Sequence, residues 1–167
     1  MKVGSDMRKK WRQFVSMAKN PFESPQQFNY MDVFPPAPES RKLKILLVED
    51  DEPDIYLIKH ALKGNPRVGE VVVAEDGLKA LEMIDKGWVY PDLAIVDLHM
   101  PRKNGFALLR DFADKSRRPF PSVILTSSAA GADAHRAMHC GAVEFITKPD
   151  TPAKLAAALD RAIYNAT

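Results

Sequence analysis

LKILLVEDDEPD, residues 43–54, decides the fold. Its first half, Leu43 to Val48, is apolar except for Lys44, and it gives way at once to Glu49, Asp50, Asp51 and Glu52. Beyond them Ile55, Leu57, Ile58, Ala61 and Leu62 recur at helical spacing, with Gly64 available as a stop. Asp51 and Glu52 suit the positive end of that helix, and Pro53 suits its first turn. The stretch is therefore a buried strand, an acidic turn and a helix.

The same unit recurs outward along the chain. EVVVA (70–74) precedes DGLKALEMIDKG, where Leu78, Leu81 and Ile84 share a face and Gly87 closes. DLAIV (92–96) precedes a helix expected from about Asn104 to Asp114, with Phe106, Leu108, Leu109 and Phe112 apolar. SVILT (122–126) precedes a short helix near Ala132–His139. VEFIT (143–147) precedes TPAKLAAALDRAIYNA, whose apolar face runs through Leu155, Ala158, Leu159, Ala162 and Ile163. Five such alternations predict an α/β fold, a parallel sheet covered by helices on both faces. The fifth helix reaches the last residues, so no second domain is expected after it.

In open parallel sheets the site lies beyond the carboxyl ends of the strands. The residues delivered there are Glu49, Asp50 and Asp51, then Glu75 to Gly77, Asp97 to Pro101, Thr126 to Ser128, and Lys148 with Pro149. Two carboxylates about 5 Å apart repel by roughly 3 kcal/mol at an effective dielectric near 20. Such a cluster persists when a cation binds it or one member keeps a proton. All-oxygen donors with room for water suit Mg²⁺. With Lys148 and the Thr126 hydroxyl beside it, that ion would make a phosphoryl-binding site, and an Asp acceptor would give an acyl phosphate.

Composition narrows the remaining choices. The 167 residues carry a net charge of +2, which demands neither nucleic acid nor membrane. Residues 1–42 hold eight Lys/Arg against four Asp/Glu, a local +4, which leaves −2 for the rest. Residues 20–42 contain Pro21, Pro25, Pro35, Pro36 and Pro38, the composition of an extended linker. Ahead of it Met7, Trp11, Phe14, Val15 and Ala18 share a helical face, with basic residues mostly elsewhere. That leaves open a docking segment for a partner or anionic surface, a helix on its own domain, or a tail without fixed structure. Cys140 is the only cysteine, so neither an internal disulfide nor a Cys-based zinc site is available. No run approaches the roughly 18 apolar residues of a membrane span, and the N-terminus lacks a secretory apolar stretch. A cytoplasmic location is expected.

ILLVEDDEPD, IVDLHMPRKNG, VILTSS and FITKP together resemble the four signature blocks of response-regulator receiver domains of two-component signalling. The resemblance runs from about Lys42 to Asn165, so residues 1–41 become an extension and 42–167 the receiver. It implies a flavodoxin-like, doubly wound five-stranded sheet, order 2-1-3-4-5, with five flanking helices. It implies Asp97 as phosphoacceptor, Lys148 as the phosphate-contacting lysine, Thr126 as switch hydroxyl and Phe145 as switch aromatic. Mg²⁺ would be held by Asp50 directly, by Glu49 through water, by Asp97, and by the backbone carbonyl of His99. The Lys148–Pro149 bond would be cis. Lys148 follows Thr126 by 22 residues and Gly105 follows Asp97 by 8, spacings that agree with the family. The 47 residues from Asp50 to Asp97 exceed the interval of compact chemotaxis-type receivers, the extra length falling around GNPRVGE and KGWVYPD. With EDDEPDIYLIKHAL, that interval is similar to the stand-alone receivers that partner phytochrome-type sensor kinases.

The function implied is that of a phosphoacceptor rather than an enzyme. A sensor histidine kinase or phosphotransfer protein would donate, and the surface of the fourth helix, fifth strand and fifth helix would meet a downstream protein or a second copy. No cofactor besides Mg²⁺ and no direct nucleic-acid contact are expected. The alternative is a pseudo-receiver that binds partners without phosphorylation. A dehalogenase-type phosphatase wants a second Asp where His99 stands, and Glu49 with Asp50 would repel the phosphate of a flavin. Asp97 alone could be a turn residue and Lys148 a surface lysine; their joint presence with the other blocks carries the assignment. His99 could perturb the acyl phosphate or face solvent. His60, His135 and His139 are taken as structural or exposed, with no third zinc ligand evident.

Overall fold

The computed structural model describes residues 41–113 and 119–167. The basic extension with its expected helix, and Asp114, lie outside the described residues. In chain order the elements are β1 (Leu43–Val48), α1 (Glu52–Lys63), β2 (Val68–Ala74), α2 (Gly77–Asp85), β3 (Leu93–Val96), α3 (Gly105–Phe112), β4 (Ser122–Thr126), α4 (Gly131–His139), β5 (Glu144–Thr147) and α5 (Pro152–Ala166). The strands pair in parallel in the order β2-β1-β3-β4-β5.

Successive strand residues point to opposite faces, and the two faces make two cores. Leu46, Val48, Ala94, Val96 and Ile124 pack with α2, α3 and α4 through Ala80, Leu108, Leu109 and Ala137. Ile45, Leu47, Leu93, Ile95, Val123 and Leu125 pack with α1 and α5 through Ile58, Leu62, Leu159 and Ile163. Burial on both faces is why the central strands are continuous apolar runs and not alternating ones. Each fully buried Leu, Ile or Val stabilises by about 1.5–3 kcal/mol, so the cores hold the strand ends as a rigid platform.

Four of the five described helices begin on a side-chain cap: Asp51, Asp76, Asn104 and Thr151 accept from the N–H groups of Asp54, Lys79, Ala107 and Lys154. The caps follow the strand ends, so they also fix the loops that carry the acidic cluster. Asp51→Ala is expected to lower stability by about 1 kcal/mol, read from urea unfolding midpoints at unchanged slope.

Three strand starts, those of β2, β3 and β5, differ from expectation, while Gly87 closes its helix as expected. β2 starts at Val68, two residues before the run EVVVA, because Leu43 faces Val68 while Lys44 faces Glu70. Gly69 is the extra residue of that bulge, and a Cβ there would come within 2.7 Å of Lys42 Cβ. At the other end of the long interval, Gly87 (φ +69°) closes α2, and the N–H groups of Trp88 and Val89 both donate to Met83 O at 2.8 and 3.2 Å. Asp92 and Val143 fall just outside their strands, yet their N–H groups still donate to Lys44 O and Ser122 O.

Candidate functional site

β1, β3, β4 and β5 deliver Glu49, Asp97, Thr126 and Lys148 to one edge of the sheet. The positions follow from the pairing: Glu49 N–H donates to Ala74 O (3.1 Å), Asp97 N–H to Val48 O (3.0 Å), and Lys148 N–H to Thr126 O (2.7 Å). Each ladder thus continues one residue past its strand and places the side chain at the rim.

Glu49, Asp50 and Asp97 offer carboxylate oxygens that all lie within 4.8 Å of one another. Glu49 and Asp97 are buried, while Asp50 is exposed. The Lys148 ammonium lies between the acids, 2.8 Å from Glu49 Oε2 and 3.7 Å from Asp97 Oδ1. Burial pushes the Glu49 carboxyl above the usual carboxylate range, Lys148 pulling against this and the Asp97 charge adding to it. Burial also works against the Lys148 charge, but hydrogen bonds to Asp54 and Glu49 outweigh it and leave this lysine above its ordinary range.

Asp97 Oδ2 accepts from the His99 N–H at 2.7 Å, which ties the loop holding the His99 carbonyl to the acid. The exposed His99 ring turns back to the site, with Nδ1 3.3 Å from Thr126 Oγ1. Thr126 is fully buried, and its hydroxyl oxygen also lies 3.4 Å from the Ser128 N–H. Phe145 is half-buried against the core of α2, α3 and α4. Gly105 makes the site compact: its N–H donates to Leu98 O at 3.1 Å, in a space where a Cβ would meet Asp97 O at 2.4 Å.

Other residues from the strand ends have structural work instead. Asp76 is fully buried, caps α2 and pairs with Arg102, which takes a φ of +62° in the loop after Asp97. Ser128 Oγ donates to Asp133 Oδ2 at 2.6 Å at the start of α4. Asp51 caps α1, as its position in the first stretch suggests. His139 Nδ1 lies 2.8 Å from the His135 carbonyl, within its own helix.

Two findings depart from expectation. The Lys148–Pro149 bond is trans, since no cis peptide occurs among the described residues. A trans X–Pro bond is intrinsically favoured by about 0.5–1 kcal/mol, and Lys148 reaches both Glu49 and Asp97 in that arrangement. The other is Asp54, to which the sequence assigns no role: its Oδ2 accepts from Lys148 Nζ at 2.5 Å. It stands five residues after Glu49, where an acid in the first turn of a helix is already accounted for by the helix dipole.

A groove of about 1240 Å³ opens beside Asp97 and not over it. It runs between α1 and β2 from Val68 and Lys63 up to Asp50, Glu75 and Arg102.

Known proteins resemble this chain in sequence and fold. The family model described as the response regulator receiver domain matches residues 45–160. The protein-glutamate methylesterase/protein-glutamine glutaminase of Pyrococcus horikoshii is 34% identical over 113 residues, 66% of this chain and 30% of that protein. Its counterpart in Symbiobacterium thermophilum is 34% identical over 111 residues, covering 65% and 30%. The chain thus spans less than a third of the length of these curated relatives. Among solved structures, a phosphorylated cyanobacterial phytochrome response regulator, RcpA, is 29% identical with a TM-score of 0.66, over 72% of this chain and 90% of that one. The response regulator domain of Thermotoga maritima CheB is 27% identical with a TM-score of 0.65, over 75% and 96%. The Mn²⁺-bound response regulator Rcp1 is 25% identical with a TM-score of 0.64, over 71% and 90%. With four acids and a lysine around one strand end, the 2-1-3-4-5 sheet and a family match over most of its length, this chain belongs to the response regulator receiver domains of two-component signalling.

Proposed function

We propose that Asp97 accepts a phosphoryl group from a phosphohistidine of a sensor kinase or phosphotransfer protein, and that the protein signals by changing its α4–β5–α5 surface. The observation that carries this is Lys148 held between Glu49 and Asp97, with Asp50 completing three carboxylates within 4.8 Å. A donor set of hard oxygens, two of them buried, fits Mg²⁺ better than a soft metal. Glu49, Asp50, Asp97 and the His99 carbonyl would hold the ion, and when bound it would neutralise charge on the transferring group.

An Asp97 carboxylate oxygen forms the new bond to phosphorus as the phosphorus–nitrogen bond breaks, and the leaving imidazole takes a proton. Lys148 donates to a phosphoryl oxygen and Thr126 donates its hydroxyl to another. Drawing Thr126 toward the phosphoryl group takes it from His99, and Phe145 follows into the space vacated beside β4. Local charge thereby biases a two-state surface.

The likeness to the phytochrome response regulator RcpA supports a phytochrome-type kinase as donor. We assign the phosphoacceptor unit to residues 42–167 and a separate role to the extension 1–41. The output is a protein contact or a homodimer through α4, β5 and α5, in the cytoplasm, with neither an enzymatic step of its own nor nucleic-acid binding. No helix among the described residues is long and apolar enough to cross a membrane.

The test is intact mass after incubation with acetyl phosphate, with and without Mg²⁺, on wild type and Asp97→Asn. A single Mg²⁺-dependent phosphoryl adduct absent from the variant is expected. No adduct from acetyl phosphate or from a phosphohistidine donor, with Mg²⁺ bound, would leave a partner-binding pseudo-receiver.

A further inference from the structure

Lys148 has two carboxylate partners nearer than the phosphoacceptor, and one of them stands outside the acidic cluster. Asp54 sits in the first turn of α1, where its N–H donates to Asp51 Oδ1 at 3.0 Å. Its Oδ2 accepts from Lys148 Nζ at 2.5 Å, against 2.8 Å for Glu49 Oε2 and 3.7 Å for Asp97 Oδ1. The Asp54 side chain is 32% exposed and that of Lys148 14%, so the pair lies at the rim of the site, partly screened by solvent. Asp54 is also carried by a helix, whereas Asp97 is carried by a strand end, so the two acids pull the ammonium from separately anchored elements.

We propose that Asp54 is a positioning residue that slows phosphoryl transfer by holding the Lys148 ammonium back from Asp97. This rests on the phosphoacceptor reading above. Glu49 belongs to the cation site, so its charge is shared once an ion is bound; the Asp54 charge is not. As a phosphoryl group reaches Asp97, Lys148 must turn toward new oxygens, and its contact with Asp54 is better in the resting protein than during transfer. An interaction stronger in the ground state than in the transition state raises the barrier. For an ion pair of this exposure the effect on rate is about five-fold.

The experiment measures initial phosphoryl uptake by intact mass on the full chain, at saturating Mg²⁺ and across acetyl phosphate concentrations. Wild type, Asp54→Asn, Asp54→Ser and Asp54→Glu are compared, with thermal midpoints recorded in parallel. Asp54→Asn and Asp54→Ser are expected to raise the maximal rate about five-fold without changing the half-saturating acetyl phosphate concentration. Asp54→Glu, which restores the charge, is expected to return toward wild type. A residue serving only helix α1 would instead lower the thermal midpoint and leave the rate unchanged or slower. Uptake by both neutral variants at or below the wild-type rate overturns the proposal and leaves the phosphoacceptor reading standing. Absence of any uptake by wild type, from acetyl phosphate or a phosphohistidine donor, overturns both.

Discussion

Lys148→Met is expected to destabilise the protein by about 3 kcal/mol in metal-free buffer, and excess Mg²⁺ is expected to recover most of that loss. Among the described residues Lys148 is the cation paired with Glu49 and Asp97, both buried, at 2.8 and 3.7 Å. Removing one partner of a buried pair leaves uncompensated charge, at a cost of about 3–5 kcal/mol. The lower end applies because Glu49, already pushed upward by burial, can take a proton in response. A divalent ion at the same carboxylates would supply the missing charge, so the variant should gain more from Mg²⁺ than wild type does. Urea unfolding in EDTA and in excess Mg²⁺ reads both quantities. The wild-type protein should show the same dependence on pH. Its Lys148 lies above the ordinary lysine value of 10.5 when folded, so its contribution is complete below that value and is lost as pH rises through the folded one. A variant as stable as wild type without metal would mean that Lys148 does not hold the acidic cluster together.

Gly105→Ala is expected to cost about 3 kcal/mol and, with Asp97 as the proposed phosphoacceptor, to suppress phosphoryl uptake at the same time. The added methyl would stand 2.4 Å from Asp97 O, 3.0 Å from Leu98 Cα and 3.2 Å from Asp97 C. All three are backbone atoms of the segment that carries the acid, so no side chain can turn aside to relieve the overlap. Either α3 moves off the sheet, where Leu108 and Leu109 are buried, or the Asp97 loop moves out of register with Glu49. Gly131→Ala separates this from helix propensity. It too replaces the first residue of a helix, but nothing lies within 4 Å of its Cβ, and a gain of about 0.5 kcal/mol is expected. Equal stability changes for the two substitutions would show that the close approach at Gly105 is not what holds the loop.

The five strand–helix units were legible because burial on both faces makes a strand a short unbroken apolar run, while a helix covering one face keeps a 3.6-residue stripe. Leu43–Val48 and Ser122–Thr126 show this at their observed bounds. The apolar run EVVVA begins two residues after the start of β2 because Gly69 belongs to a bulge, and a bulge exists only relative to the partner strand. The candidate site was legible to the extent that its members stand directly after apolar runs: Glu49, Asp50, Asp97, Thr126 and Lys148. Asp76 stands in an equivalent place, yet it caps α2 and pairs with Arg102.

From the chain alone, then, come the alternation of elements and the set of polar residues offered at the strand ends, since both depend on local periodicity. Which of those residues meet was decided by the tertiary structure. Asp54 and Lys148 are 94 residues apart, and only the seating of α1 beside the end of β5 brings their charged atoms to 2.5 Å. The 2-1-3-4-5 order is of the same kind: it came from resemblance, because no local pattern records which strands pair. Distances between loops are set by sheet register and helix packing, and those arise from the whole core at once.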